Sequence, residues 1–153
     1  MSWRGALLVL AVAPWIIGFP HTLSAQSGSP NPAVITSQLQ AASRVGRQAL
    51  EGLKALPPDD AVPIDPEVLK KARETYGLIR AARHGMELKK QADRFPDPTL
   101  AVAFKRVDEA FNLARIPVDK ASWGINRSEY LRLSIPSLSR ALRLVDQALV
   151  ILP

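Results

Sequence analysis

Residues 33–56 read AVITSQLQAASRVGRQALEGLKAL, and their spacing sets the fold class. Ile35, Leu39, Ala42, Gly46, Ala49, Leu53 and Leu56 recur at intervals of 4, 3, 4, 3, 4 and 3. An α-helix turns about 100° per residue, so that alternation lines one face, whereas a half-buried strand needs apolar residues at every second position. The middle of the stripe is Ala42, Gly46 and Ala49, which leaves room for a neighbouring helix to come close. Pro57-Pro58 ends the segment, because proline lacks the amide and crowds the preceding turn.

A second stripe of the same period closes the chain. Leu131, Ile135, Leu138, Leu142, Val145, Leu149 and Leu152 predict a helix over 126–152. Asn126-Arg127-Ser128-Glu129 reads as its capping box, with Asn in the place of Ser or Thr. Pro136 lies inside that stripe, and an interior proline costs about 3 kcal/mol. The stripe continues in phase, which predicts a kink near Pro136 rather than two pieces with Ser134 capping the second.

Between these helices two further segments carry the helical period. Over 66–94, Val68, Ala72, Thr75, Tyr76, Ile79, Ala82 and Met86 share a face. Over 98–115, Leu100, Ala103, Phe104, Val107, Ala110, Phe111 and Ala114 do the same, and Pro117 is expected to end that helix. Three helices open on one device: Asn31-Pro32, Asp65-Pro66 and Asp97-Pro98. The Asx side chain can accept bonds from first-turn amides, and proline at the next position has no amide to leave unpaired. The stretch 57–65 (PPDDAVPID) reads as an extended acidic linker, and 116–125 as an irregular link holding Trp123 and Gly124. Phe95-Pro96-Asp97 is short enough to require a helical hairpin. The fold class expected is all-α, an up-down-up-down four-helix bundle.

The N-terminus has a different character. Met1-Ser2-Trp3-Arg4 is a short basic start, residues 5–19 (GALLVLAVAPWIIGF) are an unbroken apolar run, and Leu23-Ser24-Ala25 offers a small-residue cleavage site before Gln26. That order predicts a signal peptide over 1–25, removed between Ala25 and Gln26. As a helix the run would span roughly 22 Å at 1.5 Å per residue, short of the ~30 Å hydrocarbon core. A polar, disordered stub over 26–32 (QSGSPNP) follows. The expected location is therefore exported, periplasmic or secreted, with membrane association if the leader is retained.

Composition narrows the chemistry. The chain has no Cys, which excludes disulfides, thiolate zinc sites and C-x-x-C-H haem attachment. The remaining 128 residues after cleavage (153 less 25) make one domain long enough to build a core unaided. His84 and Glu87 sit one turn apart, but a metal site needs three or four ligands, and no cofactor or metal is expected. The acidic linker residues Asp59, Asp60 and Asp65 lack the alternating oxygen ligands and turn glycine of a calcium loop. A single histidine after cleavage (His84, since His21 leaves with the leader), no G-x-S-x-G and no glycine-rich phosphate loop leave catalysis without support. Asn126-Arg127-Ser128 matches a glycosylation sequon, but its capping role accounts for Asn126.

The charge does point somewhere. A formal net charge of +6 suits anionic surfaces or acidic proteins, and an exported chain would not meet nucleic acid. Arg73, Arg80, Arg83, Lys90 and Arg94 fall along one edge of the second helix and form a candidate face for an anionic partner. Gly77, Ala81 and Gly85 form a ladder of small residues opposite the apolar stripe, a candidate for close packing within the chain or for a homodimer seam. Together these features predict a non-enzymatic bundle, monomeric or dimeric, that binds or scaffolds an envelope protein. The alternative is a peripheral membrane protein that meets anionic lipid through the basic face or an uncleaved leader.

Overall fold

A computed structural model describes residues 30–59, 63–94 and 97–152. The expected leader with its Ala25–Gln26 junction, and most of the stub after it, lie outside the described residues. So do Phe95 and Pro96 of the expected hairpin. Four helices and no strand are present among the described residues: α1 (Pro32–Ala55), α2 (Pro66–Ala92), α3 (Pro98–Lys120) and α4 (Arg127–Ile151).

The three Asx-Pro starts form as local hydrogen bonding requires. Asn31, Asp65 and Asp97 each accept from the amide two residues on, at 2.9, 2.9 and 2.8 Å, and the proline between them takes the first helical position. Asp97 also accepts from the Thr99 hydroxyl at 2.6 Å, and those bonds hold its carboxyl below the usual value. Asn126 caps α4 by accepting from the Glu129 amide at 2.8 Å.

Both interior prolines depart from what local propensity dictates. α3 does not end before Pro117 but runs to Lys120, so the expected link over 116–125 shrinks to a turn. The Pro117 ring is buried, its carbonyl accepts from the Tyr130 hydroxyl at 3.2 Å, and the Arg115–Asp119 ion pair at 2.7 Å spans it. Burial and these bonds offset the one backbone rung that proline removes. In the turn that follows, Gly124 takes φ +64°, a conformation that side chains with a Cβ rarely adopt. α4 likewise continues through Pro136 as one helix, so Ser134 caps no second piece. Instead Ser134 is buried beside Tyr130, whose phenol is pushed above its ordinary pKa by burial.

Each helix packs on two others. α1 lies beside α2 and α4, α3 lies beside α2 and α4, and the backbones of the diagonal pairs α1–α3 and α2–α4 stay more than 8 Å apart between Cα atoms. Ile35, Leu39, Ile79, Met86, Val107, Leu138 and Val145 fill the space between them with at most 2% exposure. Alanines make up much of the rest, including Ala42, Ala82, Ala103, Ala110, Ala141 and Ala148, so the backbones lie close. Glycine is required at the tightest point. A Cβ on Gly46 would run into Leu142 of α4 and stand 2.9 Å from Thr75 Cγ2 of α2.

Contacts between neighbours run in opposite order along the two chains. For α1 and α2, Gly52 meets Val68, Gly46 meets Thr75 and Gly85 meets Ile35. For α1 and α4, Arg47 pairs with Asp146, while the carbonyls of Pro57 and Asp59 just beyond α1 accept from Arg127 at 3.4 and 3.0 Å. For α3 and α4, Arg106 bonds Gln147, Glu109 pairs with Arg140 and Pro117 bonds Tyr130.

Leu39 is fully buried and Val150 is 87% exposed, so their truncations separate core from surface. Leu39→Ala is expected to cost about 2–5 kcal/mol. Val150→Ala should stay within about 0.5 kcal/mol. Urea unfolding of the two variants measures both.

Candidate functional site

The outer face of α2 is set by its inner one. Thr75 is fully buried with its hydroxyl donating to the Lys71 carbonyl at 2.7 Å, and its methyl lies where a Gly46 side chain would go. Two residues further, about 200° round the helix, Gly77 must face away. It does: it is exposed, and nothing lies within 4 Å of where its Cβ would be. Arg73, Arg80, Ala81 and His84 are exposed on the same side of α2.

The structure divides the expected basic edge into residues with partners and residues without. Arg83 is committed: it pairs with Asp108 at 2.6 Å and Glu87 at 3.7 Å, and its guanidinium lies 5.3 Å from the Phe111 ring centre and 5.7 Å from that of Phe104. Lys90 is held over Phe104 at 4.4 Å. Arg73 and Arg80 make no ion pair among the described residues. Arg94 is exposed beyond the last residue of the helix, Ala92, and so leaves the face. The small-residue ladder divides too. Gly85 turns toward α1, where a Cβ would stand 3.1 Å from Ile35 Cγ1, while Gly77 and Ala81 face outward.

What α2 and α3 build together is a shallow open recess lined by Gly77, Arg80, Ala81, Arg83, His84 and Phe111. Gly77 and Ala81 contribute its low floor because they have little or no side chain. Phe111, stacked on Tyr76 at 5.1 Å, forms an apolar wall stiffened by the Arg83 guanidinium above it. Arg80 brings a fork of N–H donors matched to carboxylate or phosphate, and His84 stands one turn further along. Such a recess can bind an anionic group. It offers no nucleophile activated by a neighbouring base. Among the described residues no three of His, Cys, Asp or Glu are grouped to hold a metal ion, and no helix is long and apolar enough to cross a membrane.

Two placements, one in the recess and one away from it, escape a reading of the sequence. Phe111 sits at the edge of the third helix's stripe, where periodicity gives it to the core, and only the packing of α3 on α2 brings it to the recess. Arg127, 4% exposed, is buried at the first turn of α4, where the helix dipole disfavours a cation. Its misplaced charge was the available signal. The reason for its position is the 57–59 segment, whose carbonyls it binds. No protein-family model matches this chain, and no curated protein or solved structure is significantly similar to it.

The helical glycines give a direct test of which face is free. Gly77→Ala should raise the unfolding free energy by up to about 1 kcal/mol, since helix propensity improves and nothing is displaced. Gly46→Ala should lower it by about 1–3 kcal/mol through overpacking. Denaturant midpoints at constant m-value read both changes.

Proposed function

We propose that this chain is an exported, non-enzymatic binding or scaffold protein of the cell envelope, built as an up-down-up-down bundle that takes an anionic partner on the outer face of α2. The bundle order is supported by the opposed sequence of contacts along each neighbouring pair of helices. Export is supported by the basic, apolar and small-residue order of residues 1–25. The observation that carries the binding reading is the pair Arg73 and Arg80: exposed, on one strip of one helix, and in no ion pair among the described residues. Exposed arginines cost little by themselves, but Arg80 lines a recess whose other arginine, Arg83, is already spent on Asp108.

The experiment reverses the charge without touching the fold. Arg73→Glu and Arg80→Glu leave the Arg83–Asp108 pair and the core intact. Full-length protein carrying both changes is expected to recover clearly less of its envelope partners from crosslinked cells, with thermal unfolding unchanged. Equal recovery overturns the reading. Flotation with anionic phospholipid vesicles at low salt distinguishes lipid: binding that Arg80→Glu abolishes would reassign the anionic partner to the membrane surface.

A further inference from the structure

We infer that the end of the bundle where α1 and α3 begin and α2 and α4 finish dips into the headgroup region of an anionic phospholipid membrane. This surface is separate from the α2 recess and goes beyond the reading given to that recess. A narrow slot of about 60 Å3 marks the end, and all four helices contribute to its walls: Pro32 and Ile35 of α1, Lys89 of α2, Leu100 of α3 and Leu152 just past α4.

Apolar side chains collect around this end. Five large hydrophobic side chains are exposed among the described residues, and four of them, Val34, Leu88, Val102 and Val150, lie one on each helix within four residues of it. A single exposed valine needs no reason, but one such residue per helix at a shared depth does. At 1.5 Å per residue all four stand within roughly 6 Å of the helix ends, the depth to which apolar side chains enter the boundary between headgroups and acyl chains. Each helix packs on two others, so its exposed side points away from the bundle axis and the four residues form a collar. A protein resting against one side would cover one or two of them. A second copy stacked end to end would cover the helix tips and leave the collar in water. A fluid layer that surrounds the end covers all four. The fifth, Trp123, is by itself at the opposite end and already carries Lys120 over its ring, 3.4 Å from the centre.

Charge selects an anionic lipid. Within about 12 Å of this end, eight residues along each helix, the carboxylates are Glu87, Asp93, Asp97 and Asp146. Each is engaged: Glu87 with Arg83, Asp93 with Lys89, Asp146 with Arg47, and Asp97 as the cap of α3. The Lys and Arg residues of the same band are Lys89, Lys90, Arg94, Lys105, Arg106 and Arg143. Of these, Arg94, Lys105 and Arg143 are exposed and in no ion pair among the described residues. Lys105 and Arg143 stand just behind the collar, at the level where headgroup phosphates would lie and attract them. Residues 1–29 also join the bundle at this end, through Pro30 and Asn31, so the apolar run 5–19 is tethered here by residues 20–29 alone. While the leader is attached, it brings this end and not the opposite one to a membrane.

Because the chain has no cysteine, one can be placed at a time and labelled with a polarity-sensitive dye. Val34→Cys, Leu88→Cys, Val102→Cys and Val150→Cys probe the collar, Ser122→Cys the opposite end and Gly77→Cys the α2 face, and all six sites are exposed. Each labelled full-length protein is mixed with phosphatidylcholine vesicles, with or without phosphatidylglycerol, and an unchanged melting temperature certifies its fold. Emission should shift to the blue at all four collar sites with anionic vesicles, far less with neutral ones, and stay unshifted at Ser122→Cys and Gly77→Cys. Adding Lys105→Gln and Arg143→Gln to the Val150→Cys protein should weaken its affinity for anionic vesicles at least about tenfold. A shift at only one or two collar sites overturns the proposal, as do equal shifts with neutral vesicles, an equal shift at Ser122→Cys, or no shift anywhere. A shift at Gly77→Cys in place of the collar also overturns it and gives the membrane to the α2 face. Recovery of envelope partners by the Arg73→Glu, Arg80→Glu protein is a separate readout, so the two readings fail separately.

Discussion

Everything about this molecule turns on the place where α1, α2 and α4 come together at Gly46. A hydrogen there, in place of a side chain, lets Leu142 and Thr75 reach the α1 backbone from two directions. Because Thr75 is seated there, the rotation of α2 about its own axis is fixed, and with it the identity of every residue that α2 shows to solvent. The alanine-rich layers above and below, among them Ala42, Ala82 and Ala141, hold the same short spacing. Large aliphatic side chains such as Leu39, Ile79, Leu138 and Val145 then interdigitate between the small ones, which close packing requires. The face that α2 shows to solvent is in this sense a by-product of the core.

Most of the fold was legible because periodicity and caps agree. The stripes from Ile35 to Leu53 and from Leu131 to Val145 are buried along nearly their whole length, and the Asx-Pro starts form hydrogen bonds of ordinary length. Where the reading failed, a tertiary contact overrode a local rule. Pro117 should stop a helix, yet burial of its ring and a bond from a tyrosine thirteen residues on keep α3 going. Nothing in the local sequence of α3 reports that contact.

The site was only half legible for a related reason. Helical geometry places Arg73, Arg80, Arg83 and Lys90 on neighbouring strips, but it does not say which of them meets an acid. Asp108 lies twenty-five residues from Arg83 and reaches it only because α3 packs against α2. The aromatic rings of Phe104 and Phe111, which look like core residues on a helical wheel, become half-buried platforms for cations in the same way. At the other end of the molecule Arg127 shows the reverse case. A charge that sequence rules would leave in water is buried because a proline-rich linker offers carbonyls with no helix or strand to bond them.

The central claim is that seating Thr75 on Gly46 turns the Arg73–Arg80 strip of α2 to solvent. Timed modification of the folded full-length chain with an arginine-selective dicarbonyl, followed by peptide mass spectrometry, measures this directly. The account predicts fast modification of Arg73 and Arg80, slower modification of Arg83, and protection of Arg127 until denaturant unfolds the chain. Protection of Arg80 to the same degree as Arg127, or equal rates at all four, would contradict it.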